Sequence, residues 1–379
     1  MTISNCRVCG DVFFKEPILQ FKNMPKSAQN FPDENSLLED KGVDLDIYQC
    51  TGCGLIQLNC EPVSYYKEVI RASAFSEDMR EFRTKQFDEF VNRFSLKHKK
   101  VIEIGCGKGE YLSLMQQSGA HAYGTEYSLE SSLRCIGEGL SVENTYIEDK
   151  NCQLSNAPFD AFFIMNFFEH LPDPNTVLKG VYNNLSDDGI GLIEVPNFNM
   201  ILKKNMFSEF IADHLFYFTK ETLTSTLERS GFEIIECKEV WYNYIISATI
   251  RKRKKTNVSR FYEHQMKIKK EINDYICSFG SSPVAVWGAG HQSLAVLSLC
   301  EISNKICYVV DDALFKQDKY TPSTHIPIVS ADEIKTKPPA AIIVMAASYS
   351  DEVSKKVLKY FDQKIKLSIL RDDGLEIIR

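Results

Sequence analysis

The chain has 379 residues, a quarter of them charged, with 51 acids against 44 Lys and Arg and a net charge of −7. That length supports two or three domains with ample core, and the acidic balance excludes a strong field for nucleic acid. No apolar stretch approaches the ~18 residues of a membrane helix and Met-Thr-Ile-Ser is no signal peptide, so a cytoplasmic protein with neither membrane nor nucleic-acid partner is expected.

Four of the twelve cysteines open the chain, as Cys6-Arg-Val-Cys9 and, after a gap of 40 residues, Cys50-Thr-Gly-Cys53. A two-residue spacing lets two thiolates on one tight turn reach a single metal, and a second such turn closes a tetrahedron. Gly10 and Gly54 follow the two turns and let backbone amides face sulfur. One structural zinc on Cys6, Cys9, Cys50 and Cys53 is the expectation. Two matched pairs outweigh chance pairing or a redox CxxC, and the eight remaining cysteines fit a reducing compartment. An irregular stretch with Pro25 and Pro32 separates the pairs, and residues 63 to 94 read as helices. On them Tyr65 and Tyr66 are candidates to wall an active site, or to pack inward.

Val101-Ile-Glu-Ile-Gly-Cys-Gly-Lys-Gly109 is a β-branched strand running into a glycine turn, and Glu-Tyr-Leu-Ser-Leu-Met then reads as a helix. Gly105, Gly107 and Gly109 let a ligand lie against bare backbone; Cys106 between them is read as a small filler. Glu103 sits just before the turn. The next strand, His121-Ala-Tyr-Gly-Thr-Glu126, ends in an acid about 20 residues on, where a ribose diol would find a carboxylate. Ile147-Glu-Asp149 is read as the end of a third strand and Asp160 to Asn166 as the fourth. Asn166-Phe-Phe-Glu-His-Leu-Pro-Asp-Pro174 follows it, then a strand ending Gly189 to Pro196 and a hairpin-like pair, Gly231 to Val240 with Ile245 to Ile250.

A glycine turn alone fits many nucleotide folds. The whole set resembles a class I S-adenosylmethionine (SAM) methyltransferase. That resemblance implies SAM as cofactor, held by Glu103, Gly105, Gly107, Gly109, Glu126, Tyr127, Glu148, Asn166 and His170. For His170, packing under the Pro172-Asp-Pro174 turn is an equal alternative.

After Arg251-Lys-Arg-Lys-Lys255, read as a solvated linker, Phe261 to Phe279 is helical. Val284-Ala-Val-Trp-Gly-Ala-Gly-His-Gln-Ser293 is a second strand and glycine turn, and Ile306 to Asp312, Ala341 to Ala346 and Lys366 to Leu370 supply more strands. The turn with Asp311 is a passable NAD fingerprint; a lobe that keeps the turn for packing and takes no NAD is favoured. The expected fold is α/β in three parts: a zinc-binding unit over 1–62, a Rossmann-like class I methyltransferase sheet over 63–255, and a smaller Rossmann-like domain over 256–379.

This order resembles the bacterial sugar C-methyltransferases that act on nucleotide-linked keto-deoxysugars. The likeness is carried by Tyr308-Val-Val-Asp-Asp, by Lys316 to Pro327, and by Phe210-Ile-Ala-Asp-His-Leu-Phe-Tyr-Phe-Thr219. It implies a nucleotide-linked sugar as acceptor and a base from the Asp213-His214 pair, where the family usually has Glu-His. His214 is the expected base, and Asp213 is expected to bind a substrate hydroxyl. The Ser…Met-Arg frame of 68–80 has Val69 and Arg71 where tyrosine is usual, and Gly-Ala-Gly-His-Gln-Ser replaces a turn with a lysine and a further glycine. The competing readings are O- or N-methylation of another small metabolite, or a binding or assembly protein that kept the fold without catalysis. Intact glycines and Glu126 argue against the last.

Overall fold

A computed structural model describes residues 3–29, 31–68 and 76–379; Val69 and Arg71 lie outside them. Two compact units divide the chain, Met1–Lys254 and Lys255–Arg379.

In the first unit, β1 (Leu19–Met24), β2 (Val43–Gln49) and β3 (Ile56–Leu58) make an antiparallel sheet beside the two cysteine turns. A helix, α1 (Glu77–Arg93), begins at Ser76, whose hydroxyl accepts from the Met79 amide, and then the central sheet starts. Its strands are β4 (Lys100–Ile104), β5 (His121–Glu126), β6 (Ser141–Asn144), β7 (Phe159–Met165) and β8 (Leu185–Pro196), with α2 (Glu110–Gln117), α3 (Leu129–Gly137) and α4 (Pro174–Asn183) between them. A long connection follows, holding α5 (Phe198–Lys203) and β9 (Phe216–Tyr217). Then α6 (Lys220–Arg229), β10 (Phe232–Val240) and β11 (Ile245–Lys252) finish the unit.

Spatially the central sheet runs β10-β11-β8-β7-β4-β5-β6. Numbered along the sheet's own strands this is 6-7-5-4-1-2-3, with β11 antiparallel to both neighbours and the rest parallel. It is the class I order expected from the sequence. Such an order places a switch point beside β4, where crossovers to opposite faces open a crevice at the strands' carboxyl ends. The β7 sequence, Phe-Asp-Ala-Phe-Phe-Ile-Met, is almost wholly buried, as a central parallel strand covered on both faces must be. One difference concerns the third strand. It is Ser141–Asn144, and Ile147-Glu148-Asp149 lies in the loop after it. Ile147 is apolar because it packs against Gly180 of α4, where a Cβ would sit 2.4 Å from its methyl group.

Residues 1–62 are not insulated from this sheet. Cys6, Val8, Cys50 and Leu55 belong to one buried cluster with Ile104, Phe162, Phe216 and Phe218. Strand β9 joins the N-terminal sheet by pairing with β3, Ile56 opposite Tyr217. Across the sheet's other face α1 buries Phe87, Phe90 and Val91. Its Arg83 is fully buried against Glu194 of β8, whose carboxylate also accepts from Gln86.

The second unit opens with α7 (Ser259–Cys277), burying Ile268, Ile272 and Ile276 at four-residue spacing along one stripe. Its strands are β12 (Val284–Trp287), β13 (Ile306–Val310), β14 (Lys319–Tyr320), β15 (Pro327–Val329), β16 (Ala341–Val344), β17 (Lys366–Leu370) and β18 (Leu375–Ile377), with α8 (His291–Leu299) after the first. The order β14-β15-β13-β12-β16-β17-β18 contains five parallel strands arranged third-second-first-fourth-fifth, a Rossmann order.

Candidate active site

The β4–α2 turn explains its glycines. Gly105, Gly107 and Gly109 have φ of +71°, +58° and +82°, conformations in which a Cβ is strained. A Cβ on Gly105 would also lie 2.7 Å from the Phe167 ring. Glu126, at the end of β5, accepts from the Gly107 amide (2.8 Å) and the Ser128 amide (2.8 Å), so one carboxylate ties the glycine turn to the next loop. Burial raises its pKa, and the two amides oppose the rise. Glu103 is fully buried two residues before the turn. Asn166, at the end of β7, is held in the left-handed region at φ +50°, and its Oδ1 is buried with no hydrogen-bond partner. A glycine-lined backbone, a carboxylate at the second strand end and an orphaned amide oxygen at the fourth fit a cationic nucleoside amino acid such as SAM.

Tyr127 and Glu148, expected to help hold SAM, are met by a residue the sequence reading passed over. Lys67 Nζ pairs with the Glu148 carboxylate. It lies 4.9 Å from the Tyr127 ring centroid, 5.0 Å from Tyr146 and 5.8 Å from Tyr66. Lys67, Tyr127 and Tyr146, with Gly105, Thr125 and Phe167, line a pocket of about 10 Å³. Tyr66 thus stands with the Tyr146 ring (6.1 Å between centroids) on the cofactor side.

Its neighbour Tyr65 turns the other way. The Tyr65 hydroxyl donates to Asp213 Oδ2 (2.6 Å) and meets Ser27 Oγ at 2.9 Å; the Ala28 amide donates to Asp213 Oδ1 (3.1 Å). Burial, then the Asp213 carboxylate, raises the Tyr65 pKa. A cavity of about 620 Å³ opens beside them, lined by Tyr65, Ala212, Lys26, Ser64, Glu61 and Asp44 among others. Asp213 does not face the imidazole next to it. Its backbone carbonyl accepts from His170 Nδ1 (2.7 Å), and the Leu215 amide donates to the Glu169 carbonyl (3.0 Å). These two bonds dock the loop carrying His214 on the turn after β7. The His170 and His214 rings meet edge to face, 4.7 Å between centroids. Burial, with His170 nearby, holds the His214 pKa well below its usual range, and burial pushes His170 down to about 4.

At the cysteine turns the four sulfurs lie within 4.8 Å of one another. Cys6 and Cys53 are 3.7 Å apart, Cys9 and Cys50 3.3 Å. The Val8 and Gly52 amides and the Gln57 amide group donate to Cys6 and Cys50 sulfur at 3.1–3.4 Å. Amides aimed at sulfur favour thiolates, and the donor set suits a tetrahedral soft-ligand ion. In the second unit Asp311 accepts from the Ala289 and Ala313 amides and pairs with Lys316 at 2.9 Å.

Residues 79–237 match the family described as Methyltransferase domain, and 248–370 match C-methyltransferase C-terminal domain. C-methyltransferase NovU of Streptomyces niveus is 23% identical over 392 residues, spanning 93% of this chain and 91% of its own. The Ubiquinone biosynthesis O-methyltransferase of Haemophilus ducreyi is 32% identical over 126 residues, 31% of this chain and 52% of that one. A solved S-adenosylmethionine-dependent methyltransferase from Clostridium acetobutylicum superposes with a TM-score of 0.40 at 13% identity, covering 50% of this chain and 96% of that one. This chain is a SAM-dependent methyltransferase.

The two matched domains follow one another in order, and NovU is similar along nearly the whole length. Three residues that the structure places beside the expected site residues were missed by sequence reasoning. Glu169 stood in view inside Asn166-Phe-Phe-Glu-His170 and is buried at 1% exposure. The other two, Lys67 and Tyr146, carry no local signal, because what brings them together is the crevice.

Proposed function

We propose that this methyltransferase attaches its methyl group to a carbon beside the ketone of a nucleotide-linked keto-deoxysugar, with His214 as general base. The observation that carries the reading is the docking of the His214 loop onto the turn after β7, next to the glycine turn on one side and the Tyr65–Asp213 pair on the other. SAM supplies an electrophilic methyl on a sulfonium. Gly105 to Gly109, Glu126 and Asn166 would hold it. The protein must then orient the acceptor and take one proton. A depressed pKa keeps His214 neutral at pH 7, in the form that accepts a proton. Tyr65, whose hydroxyl is bonded to the buried Asp213, lines the large cavity and is suited to a sugar hydroxyl. Among the lining residues named above, acids outnumber the single Lys26, which suits hydroxyls better than a pyrophosphate. The name C-methyltransferase borne by NovU supports carbon as the methylated atom. A zinc ion on Cys6, Cys9, Cys50 and Cys53, closed to further ligands, would be structural.

His214→Asn should lose about 10²–10⁴ in turnover while SAM affinity holds within a few-fold. In heavy water, recovered acceptor should carry deuterium at the carbon beside the ketone with the wild type and much less with His214→Asn. A product whose new methyl is bonded to oxygen or nitrogen would refute carbon methylation, whatever the fate of the base.

A further inference from the structure

Glu169 clusters with both histidines, and its environment is unusual. It is 1% exposed, in the short turn Phe168–His170. Oε1 lies 3.9 Å from His170 Nε2, and Oε2 is buried with no partner. One ligand atom each of Glu169, His170 and His214 lies within 4.8 Å of the others. Since the Asp213 carbonyl can only accept, His170 Nδ1 carries the hydrogen, and in the neutral ring Nε2 presents a lone pair toward Glu169. Unpaired carboxylates are costly to bury. One is tolerable where a positive charge arrives during turnover.

We propose that Glu169 is a positioning residue that acts through His214: its carboxylate is the counter-ion for the proton that His214 takes from the acceptor carbon. The inference rests on the carbon-acid reading above. When the acceptor's C–H bond breaks, its electron pair stays on the substrate as an enolate and the proton goes to His214. That pair then forms the bond to the methyl carbon, whose former bonding pair stays with sulfur. The imidazolium formed on the way is enclosed by protein, which disfavours it unless an anion stands close. Burial holds Glu169 protonated up to about pH 8. The ionised form that supports His214 therefore appears as pH rises through that value. Other titratable groups face this cluster: Asp213 on the loop, and Tyr244, whose hydroxyl donates to Glu209.

The test uses Glu169→Gln in the full chain, with Glu169→Asp as the conservative partner and binding of S-adenosylhomocysteine by calorimetry as the folding control. In the wild type the ring resonances of His170 and His214, assigned with single variants, should inflect near pH 8. Deuterium exchange into thymidine-diphosphate 4-keto-6-deoxyglucose should rise about tenfold per pH unit and level off above pH 8. Glu169→Gln should abolish the inflection, flatten the profile and slow exchange by about 10- to 100-fold, with S-adenosylhomocysteine affinity within threefold. Glu169→Asp should restore part of the slope. A glutamine variant that keeps the wild-type rate and pH limb overturns the proposal. So does a second divalent ion bound in the wild type, beyond any ion on the four cysteines, and lost in Glu169→Gln; that result would make the cluster a metal site. If the product carries its new methyl on oxygen or nitrogen, the carbon-acid reading fails, and the proposal fails with it even if the histidine inflection is present.

Discussion

Replacing Lys67 with alanine should tighten donor binding, the reverse of what removing a cofactor contact does. The ammonium lies against Tyr127 and Glu148, both expected to hold SAM, and leaving that place has a cost that can be summed. Its ion pair with Glu148, whose side chain is 64% exposed, counts for about 0.2–1 kcal/mol. Contacts over Tyr127 and Tyr146 at 4.9 and 5.0 Å add about 0.5 kcal/mol each at an exposed site. The sum of about 1–2 kcal/mol corresponds to about 5- to 30-fold in Kd. Calorimetry with S-adenosylhomocysteine would read it directly. Because the ion pair is screened by salt, the gap between Lys67→Ala and wild type should narrow as ionic strength rises, and Lys67→Arg should keep most of it. Weaker binding by Lys67→Ala would refute the argument and make Lys67 a ligand contact.

The other expectations follow from the same geometry. Glu126→Ala should weaken SAM about 10- to 100-fold, the worth of one charge-assisted hydrogen bond, and it also frees the Gly107 and Ser128 amides; unchanged affinity in calorimetry would put the donor elsewhere. Metal analysis should find one zinc per chain, and Cys50→Ser should lower both the zinc content and the soluble yield, since metal-binding energy here is folding energy. Stability should depend on pH through the buried cluster. Glu169 has a folded pKa of about 8, above its unfolded value of ~4.5, so its contribution is complete below ~4.5 and lost as pH rises to 8. His170, lowered to about 4, and His214, lowered well below its usual range by burial, contribute above their unfolded value of ~6.5 and lose it as pH falls. Denaturant titrations of the wild type should therefore peak near pH 6.5, and Glu169→Gln should lose the decline between 6.5 and 8.

What the sequence made legible was local. The two CxxC turns, the glycine turn and the acid at Glu126 each declare themselves within a few residues, since each is one backbone turn with one chemical demand. The third strand was placed a turn too late because Ile147 is as apolar as a strand residue, though its partner is Gly180 of a helix. Tyr65 and Tyr66 looked interchangeable; the tight turn at Tyr66–Glu68 sends one ring to Asp213 and the other to Tyr146. Glu169 was hidden by its position. Next to a histidine in a turn it reads as a solvated acid, and only the packing of β7 and the His214 loop around it shows otherwise. Two-residue β9 has no strand signal at all, since its partner β3 lies some 160 residues earlier in the chain.

That pairing bears on how such a protein can change over generations. The loop that presents His214 is laced to the N-terminal unit by Ile56 opposite Tyr217 and by the Leu58 amide on the Leu215 carbonyl (3.0 Å), while Phe216 and Phe218 share a core with Cys6 and Cys50. A recombination between relatives with its crossover near residue 63 would join a β3 from one parent to a β9 from the other. Any mismatch in that short register turns the whole strand over, because side chains alternate faces residue by residue, and aromatic rings meant for the core would point to water. The loop that presents His214 and the cysteine turns are thus inherited as one piece, and change in either is more accessible by substitutions within Leu45 to Leu58 and Phe210 to Phe218 together than by trading either alone.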